Sequence, residues 1–308
     1  MLNEKPHNPR PLNKVPEHIY RVLKGEQPAL TPIKEHECFG TQVPQSLGTI
    51  NRIQGSKRDA IWGTLVRTGD IIELVAPPES GKTYVVLNFL VKFALGKKFL
   101  EREFHEDGTA IFLDGELPIE DKKRRLKPII DSLNTDDLIK LEKSLYFLDR
   151  EMCGSNPINL CQEEPDGALM SHLKKHKIVV IDSLKTNSIG TNISDAKEVA
   201  KLISNLLELK NNGCTVFYVN HFNKGNSKTA SGSVDFEVIN DTRWYFEKVD
   251  ATDDNMTIKL SFGKARGAKP SEKQSLLFQI WPDKHGMPVE LLEVGGRKVS
   301  LSNEQQFA

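Results

Sequence analysis

The feature that most limits what this chain can become is the run Glu73-Leu-Val-Ala-Pro-Pro-Glu-Ser-Gly-Lys-Thr83. It grows out of an apolar stretch, Asp70-Ile-Ile-Glu-Leu-Val75, and leads into a longer one, Tyr84-Val-Val-Leu-Asn-Phe-Leu-Val-Lys-Phe-Ala94. A short apolar run bounded by turn formers reads as a buried strand, and the longer run reads as a helix. A loop ending in Gly-Lys-Thr between the two is built for phosphate. Backbone N–H groups at the helix start point at the anion, and the helix dipole favours negative charge there. Lys82 is expected to reach the β- and γ-phosphates and the Thr83 hydroxyl to hold Mg²⁺, with Ala76, Pro77, Pro78, Glu79, Ser80, Gly81, Lys82, Thr83 and Tyr84 forming the binding segment for a nucleoside triphosphate. Ala76 stands where such loops usually begin with glycine, and alanine resists positive φ. Glu79 sets a carboxylate inside the loop, which weakens anion binding unless it points outward.

With 308 residues, 38% hydrophobic and 27% charged, the chain has room for one large α/β domain and an appendage. The expected division is an N-terminal arm or small lid over residues 1–60, a nucleotide-binding domain over 61–295 and a loose tail over 296–308. The arm carries Pro6, Pro9, Pro11, Pro16, Pro28, Pro32 and Pro44 around one amphipathic piece, Glu17-His-Ile-Tyr-Arg-Val-Leu-Lys24. Lys+Arg and Asp+Glu balance at 42 each, so any nucleic-acid contact must come from a local basic surface rather than a global field. Cys38, Cys153, Cys161 and Cys214 form no close pair, which points to reduced thiols and a cytoplasmic setting. No apolar run approaches the roughly 20 residues of a membrane span, and the N-terminus has no hydrophobic signal region.

From residue 70 onward, strand and helix patterns alternate, as in a mostly parallel sheet covered on both faces. Beyond residue 238 they give way to short alternating strands, read as antiparallel hairpins added at the sheet's edge. Three strands end in polar residues that belong at one edge. Phe112-Leu-Asp-Gly-Glu116 offers Glu116 to orient and deprotonate a water, with Asp114 as its rival. Ile-Val-Val-Ile-Asp182 offers Asp182 to the metal shell. Val219-Asn-His-Phe-Asn-Lys224 offers His221 to the γ-phosphate side. Downstream, Arg243, Lys264 and Arg266 could bring positive charge to a nucleotide held by a neighbouring subunit. Two polar loops on the same edge, with Lys185 and Asn187 in one and Lys224 and Lys228 in the other, suit the backbone of single-stranded DNA or simple flexible linkers. The basic run Lys122-Lys-Arg-Arg125, with Lys127, reads as a solvated helix face.

In order and spacing these motifs resemble the RecA-fold ATPases, and within them the RepA-like hexameric replicative helicases of plasmids and related mobile-element ATPases. The resemblance spans about residues 60–285 and rests on Pro78-Glu-Ser-Gly-Lys-Thr83, Leu113-Asp-Gly-Glu116, Val179-Val-Ile-Asp-Ser183, Val219-Asn-His-Phe-Asn-Lys224, Ser231-Gly-Ser233, Asp241-Thr-Arg-Trp244 and Gly263-Lys-Ala-Arg-Gly267. It implies a RecA-like P-loop core, with Glu116 as catalytic base, Asp182 on the metal and His221 as γ-phosphate sensor. It also implies that Arg243 and Lys264, with Arg266, act across a subunit interface. The implied assembly is a homo-oligomeric ring, hexameric by analogy, that threads single-stranded DNA and meets other replication proteins through the arm. Two further readings stay open: an ATP-switched regulatory module with little unwinding, and a loader- or recombinase-like protein forming filaments.

Overall fold

The computed structural model describes residues 47–50, 58–154, 158–164, 166–192, 195–220, 222–223, 226–230 and 234–299. The chain divides into Met1–Gly55 and Ser56–Ala308. Of the first unit, the turn of helix Leu47–Ile50 is described; the amphipathic piece at 17–24 lies outside the described residues.

The second unit is built on a ten-stranded sheet. Its parallel half consists of β3 (Ile71–Val75), β4 (Ala110–Asp114), β5 (Leu145–Asp149), β6 (Ile178–Asp182) and β7 (Thr215–Asn220). Its antiparallel half consists of β10 (Thr242–Ala251), β11 (Met256–Ala265), β12 (Leu276–Ile280), β13 (Val289–Val294) and β14 (Arg297–Lys298). The strand order is β14-β13-β12-β11-β10-β3-β7-β6-β4-β5, and β10 joins the two halves by pairing parallel to β3 and antiparallel to β11. A small ribbon, β1 (Ala60–Trp62) with β2 (Val66–Arg67), precedes the sheet. A second, β8 (Phe222–Asn223) with β9 (Asn226–Ala230), stands where a featureless polar loop was expected.

Every residue of β3, β4, β6 and β7 is buried, because helices cover both faces and parallel strands so placed are largely apolar. Helix α1 (Lys82–Leu95) is buried along most of its length. It ends at Gly96, whose left-handed φ of 70° lets its N–H return to Lys92 and Phe93 carbonyls. The amphipathic α2 (Ile119–Ser132) and α3 (Thr135–Ser144) lead to β5, and α4 (Ala168–Leu173) leads to β6. Helix α5 (Ala196–Asn211) begins at Asp195, whose carboxylate accepts from the N–H groups of Lys197 and Glu198. It turns Val199, Leu202, Leu206 and Leu209 inward. The short α6 (Val234–Ile239) comes just before β10. One core gathers Trp62, Phe89, Phe217 and Trp244, with ring centroids 5.4–5.9 Å apart; the other lies under α5 around Val179, Leu202, Tyr218 and Phe236. The sheet continues through Arg297–Lys298, three residues into the stretch read as tail.

His176 is a cost built into this packing. It is buried with neither ring nitrogen hydrogen-bonded, and it stacks on Tyr146 at 4.8 Å and His172 at 5.2 Å. Burial, helped by His172 and Lys175, holds its imidazole down to about 4. The folded value lies below the unfolded 6.5, so stability is intact above pH 6.5 and declines as pH falls toward 4. At 1.36 kcal/mol per pH unit that amounts to about 3 kcal/mol. Urea titrations of His176→Phe at pH 7 and pH 4 should show that part of the acid loss removed.

Candidate functional site

Two glycine-type conformations shape the phosphate loop. Gly81 has φ 77° and caps α1 without any side-chain bond to the helix, so the first N–H groups of α1 have no side-chain cap competing with an anion. Glu79 also takes positive φ, 57°, a strained state for a side-chain-bearing residue. Its side chain is exposed and lies among the residues lining the cleft described next. Ala76 does not take positive φ; it continues β3, its N–H meeting the Asn220 carbonyl at 3.4 Å, which explains why alanine suffices there. Beneath the loop lie Met256 and Ile258 of β11. A methyl at Gly81 would come within 2.7 Å of Met256 Sδ and 2.9 Å of Ile258 Cδ1.

The loop forms one wall of a cleft of about 350 Å³ that Glu116, Leu117, Arg125, Asp182 and Met256 complete. Thr83 Oγ1 donates to Asp182 Oδ2 at 3.1 Å, while Asp182 Oδ1 is buried with no hydrogen-bond partner. Burial pushes this carboxyl up to about 6; Lys82 opposes the shift, and Glu116 and Asp114 add to it. A hydroxyl beside a carboxylate that keeps one orphaned, buried oxygen suits a hard divalent cation. Among the described residues no group of three or more His, Cys, Asp or Glu could hold a metal alone, so a cation here needs further oxygens, which a nucleotide's phosphates can supply. Glu116 is exposed at the cleft. Its backbone is fixed by Asp114, whose Oδ1 accepts from the N–H groups of Glu116 and Leu117 at 2.9 and 3.0 Å. Asp114 is therefore the anchor of that turn, and Glu116 the carboxylate offered to the cleft.

A phosphate loop with a strand-end acid beside it belongs to a recognised group of proteins. A family model described as an AAA domain matches residues 43–227, more than half of the chain. The chain belongs to the AAA domain family. As a member of it, the protein is an ATPase of the P-loop type, and its α/β sheet is the RecA-like core of such enzymes. Comparison with curated proteins finds none that matches. Among the described residues, no helix is long and apolar enough to cross a membrane.

Within the AAA domain and the strands that follow it, the other expected site residues fall in different places. Arg243 is turned back into its own chain. Its Nε donates to Glu73, and Nη1 reaches Glu237 at 3.2 Å. Glu73, buried in the middle of β3, also accepts from Asn220 Nδ2 at 3.0 Å and Asn240 Nδ2 at 2.9 Å. Lys264 Nζ and Arg266 Nη2 donate to the Glu237 and Val238 carbonyls in the last turn of α6. Lys185 is exposed after β6. Asn187 corrects the expectation of a DNA contact: it is buried, and its amide donates to the Asp182 and Ser183 carbonyls, closing the turn after β6. His221 and Lys224 lie outside the described residues, as does the side chain of Lys228 in β9.

The basic run on α2 also needs correcting. Lys123, Arg124 and Lys127 do form exposed pairs with Glu120, Asp121 and Asp131. Lys122 is buried, and Arg125 lies over the Tyr84 ring at 4.6 Å, with its Nε buried and unpaired, and lines the cleft. The signal was in the spacing: Lys122 shares a helix stripe with the buried Leu126 and Ile129.

Proposed function

We propose that this ATPase uses Mg²⁺ and works as a ring-forming motor on single-stranded DNA, a helicase or translocase in the replication of a plasmid, phage or other mobile element. The observation that carries the hydrolytic part is the cleft itself. There Lys82, the Thr83–Asp182 pair and Glu116 face one volume large enough for a triphosphate. Thr83 and Asp182 would hold the cation, which supplies positive charge to the phosphate oxygens when bound. Lys82 neutralises the phosphates from the loop side. Glu116 accepts the proton of the attacking water, and its exposure to the cleft leaves room for that water.

The motor part is supported by the order of motifs and by where the strands end. Exposed Lys185 after β6 and the β8–β9 ribbon after β7 both follow carboxyl ends of parallel strands, on the edge that carries the cleft. In a ring, Arg243, Lys264 and Arg266 would complete the neighbour's site, and His221 would read the γ-phosphate. The cis engagement of Arg243 with Glu73 favours a second reading, a nucleotide-switched regulator whose occupancy changes a partner contact.

The deciding experiment is ATP hydrolysis with and without single-stranded DNA, with Glu116→Gln alongside. The expected result is turnover stimulated by DNA and reduced about 10²–10⁴-fold by Glu116→Gln, with nucleotide binding retained. Turnover indifferent to DNA would favour the regulator, and equal turnover in both proteins would remove Glu116 from the mechanism.

A further inference from the structure

Three carboxylates stand in a row at the carboxyl edge of the sheet. Asp149 of β5 is in register with Asp114 of β4, which is in register with Asp182 of β6. Neighbouring strands lie about 5 Å apart, so the three negative groups crowd one another beside a site meant to take a cation. One side chain resolves the crowding. Lys122, 4% exposed, extends from α2 to pair with Asp114 Oδ2 at 3.1 Å and with Asp149 Oδ1. Its ammonium also lies over the Phe112 and Phe147 rings, at 5.8 and 5.4 Å, which closes it off from water. The same Asp114 holds the backbone of Glu116 through its other oxygen.

We propose that Lys122 is a positioning residue of the hydrolytic site. By pairing with Asp114 and Asp149, it locks the turn that carries Glu116 and leaves Asp182, of the three, to receive the divalent cation. The inference rests on the hydrolytic reading above. A lysine in this role does two things a merely buried lysine does not: it silences two carboxylates that would otherwise form a competing cation site, and it fixes Glu116 through Asp114.

The test uses the full chain with Mn²⁺ as probe, counted by electron paramagnetic resonance with and without nucleotide, together with kcat and KM for ATP per bound nucleotide. Lys122→Met is expected to gain one Mn²⁺ per chain without nucleotide, at the freed Asp114–Asp149 pair. Its kcat should fall 10–100-fold and its KM should stay within about threefold. Lys122→Met/Asp149→Asn removes one positive and one negative charge, so it keeps the local balance should the single variant not fold. It should lack the extra Mn²⁺ and still lose at least tenfold in kcat. Wild-type kcat in either variant, or no additional Mn²⁺ in Lys122→Met, overturns the proposal. Should the wild type itself not turn over ATP, the hydrolytic reading fails, and the Mn²⁺ count alone still decides whether Lys122 masks the pair.

Discussion

Gly81→Ala is expected to weaken ATP binding at least tenfold, measured with a fluorescent nucleotide. Two costs coincide at this position. The φ of 77° is left-handed, a conformation that costs a side-chain-bearing residue about 1–2 kcal/mol, which is already a factor of roughly 5–30. The new methyl would also press on Met256 and Ile258, so the loop must lift off β11 or the strand must give way. Gly81→Ala/Met256→Ala separates the two. If contact with β11 dominates, the double variant recovers most of the affinity; if backbone conformation dominates, it recovers little.

Glu73→Leu should be the most damaging substitution away from the cleft. It leaves Arg243, Asn220 and Asn240 without their common acceptor in a part of the sheet that water does not reach. Breaking a buried charge network from one side costs about 3–5 kcal/mol. For a unit of this size the expected fall in Tm is on the order of 10 °C. Adding Arg243→Leu should return a substantial part of the loss, because the partners are coupled. Additive losses in the double variant would show that the ion pair contributes nothing to the fold.

The central strand, the loop and α1 were legible in the sequence because each declares itself locally: apolar runs flank a loop with one permitted ending. The strand ends that bear Glu116 and Asp182 were legible for the same reason. What escaped detection depends on partners distant in sequence. β10 runs on past Phe246 through Glu247 and Asp250, polar residues held by pairing with β11 rather than by burial. β13 has one fully buried residue and gave little pattern to read. Helix α3 was announced by Asn134, whose side chain accepts from the Asp137 N–H, a cap with few apolar residues behind it. Lys122 and Asn187 were misread because charge and amide groups were assigned to solvent by type. Lys122 finds its counter-ions only when β4 and β5 lie side by side, and Asn187 finds its acceptors only once β6 has turned. Glu73 carried its own signal, a carboxylate in the middle of Ile-Ile-Glu-Leu-Val.

The aromatic knot around Phe89 of α1 gives the molecule an optical property. Of the three tryptophans, Trp62 and Trp244 are buried with ring centroids 5.5 Å apart, and both abut Phe89, two turns along the helix that begins at Lys82. Trp281 stands apart, near the surface beside Lys284. Two indoles that close share their electronic transitions, so near-ultraviolet dichroism and emission colour both register how α1 is seated against the sheet. The helix that would grip a nucleotide thus carries its own gauge, readable in the unlabelled protein.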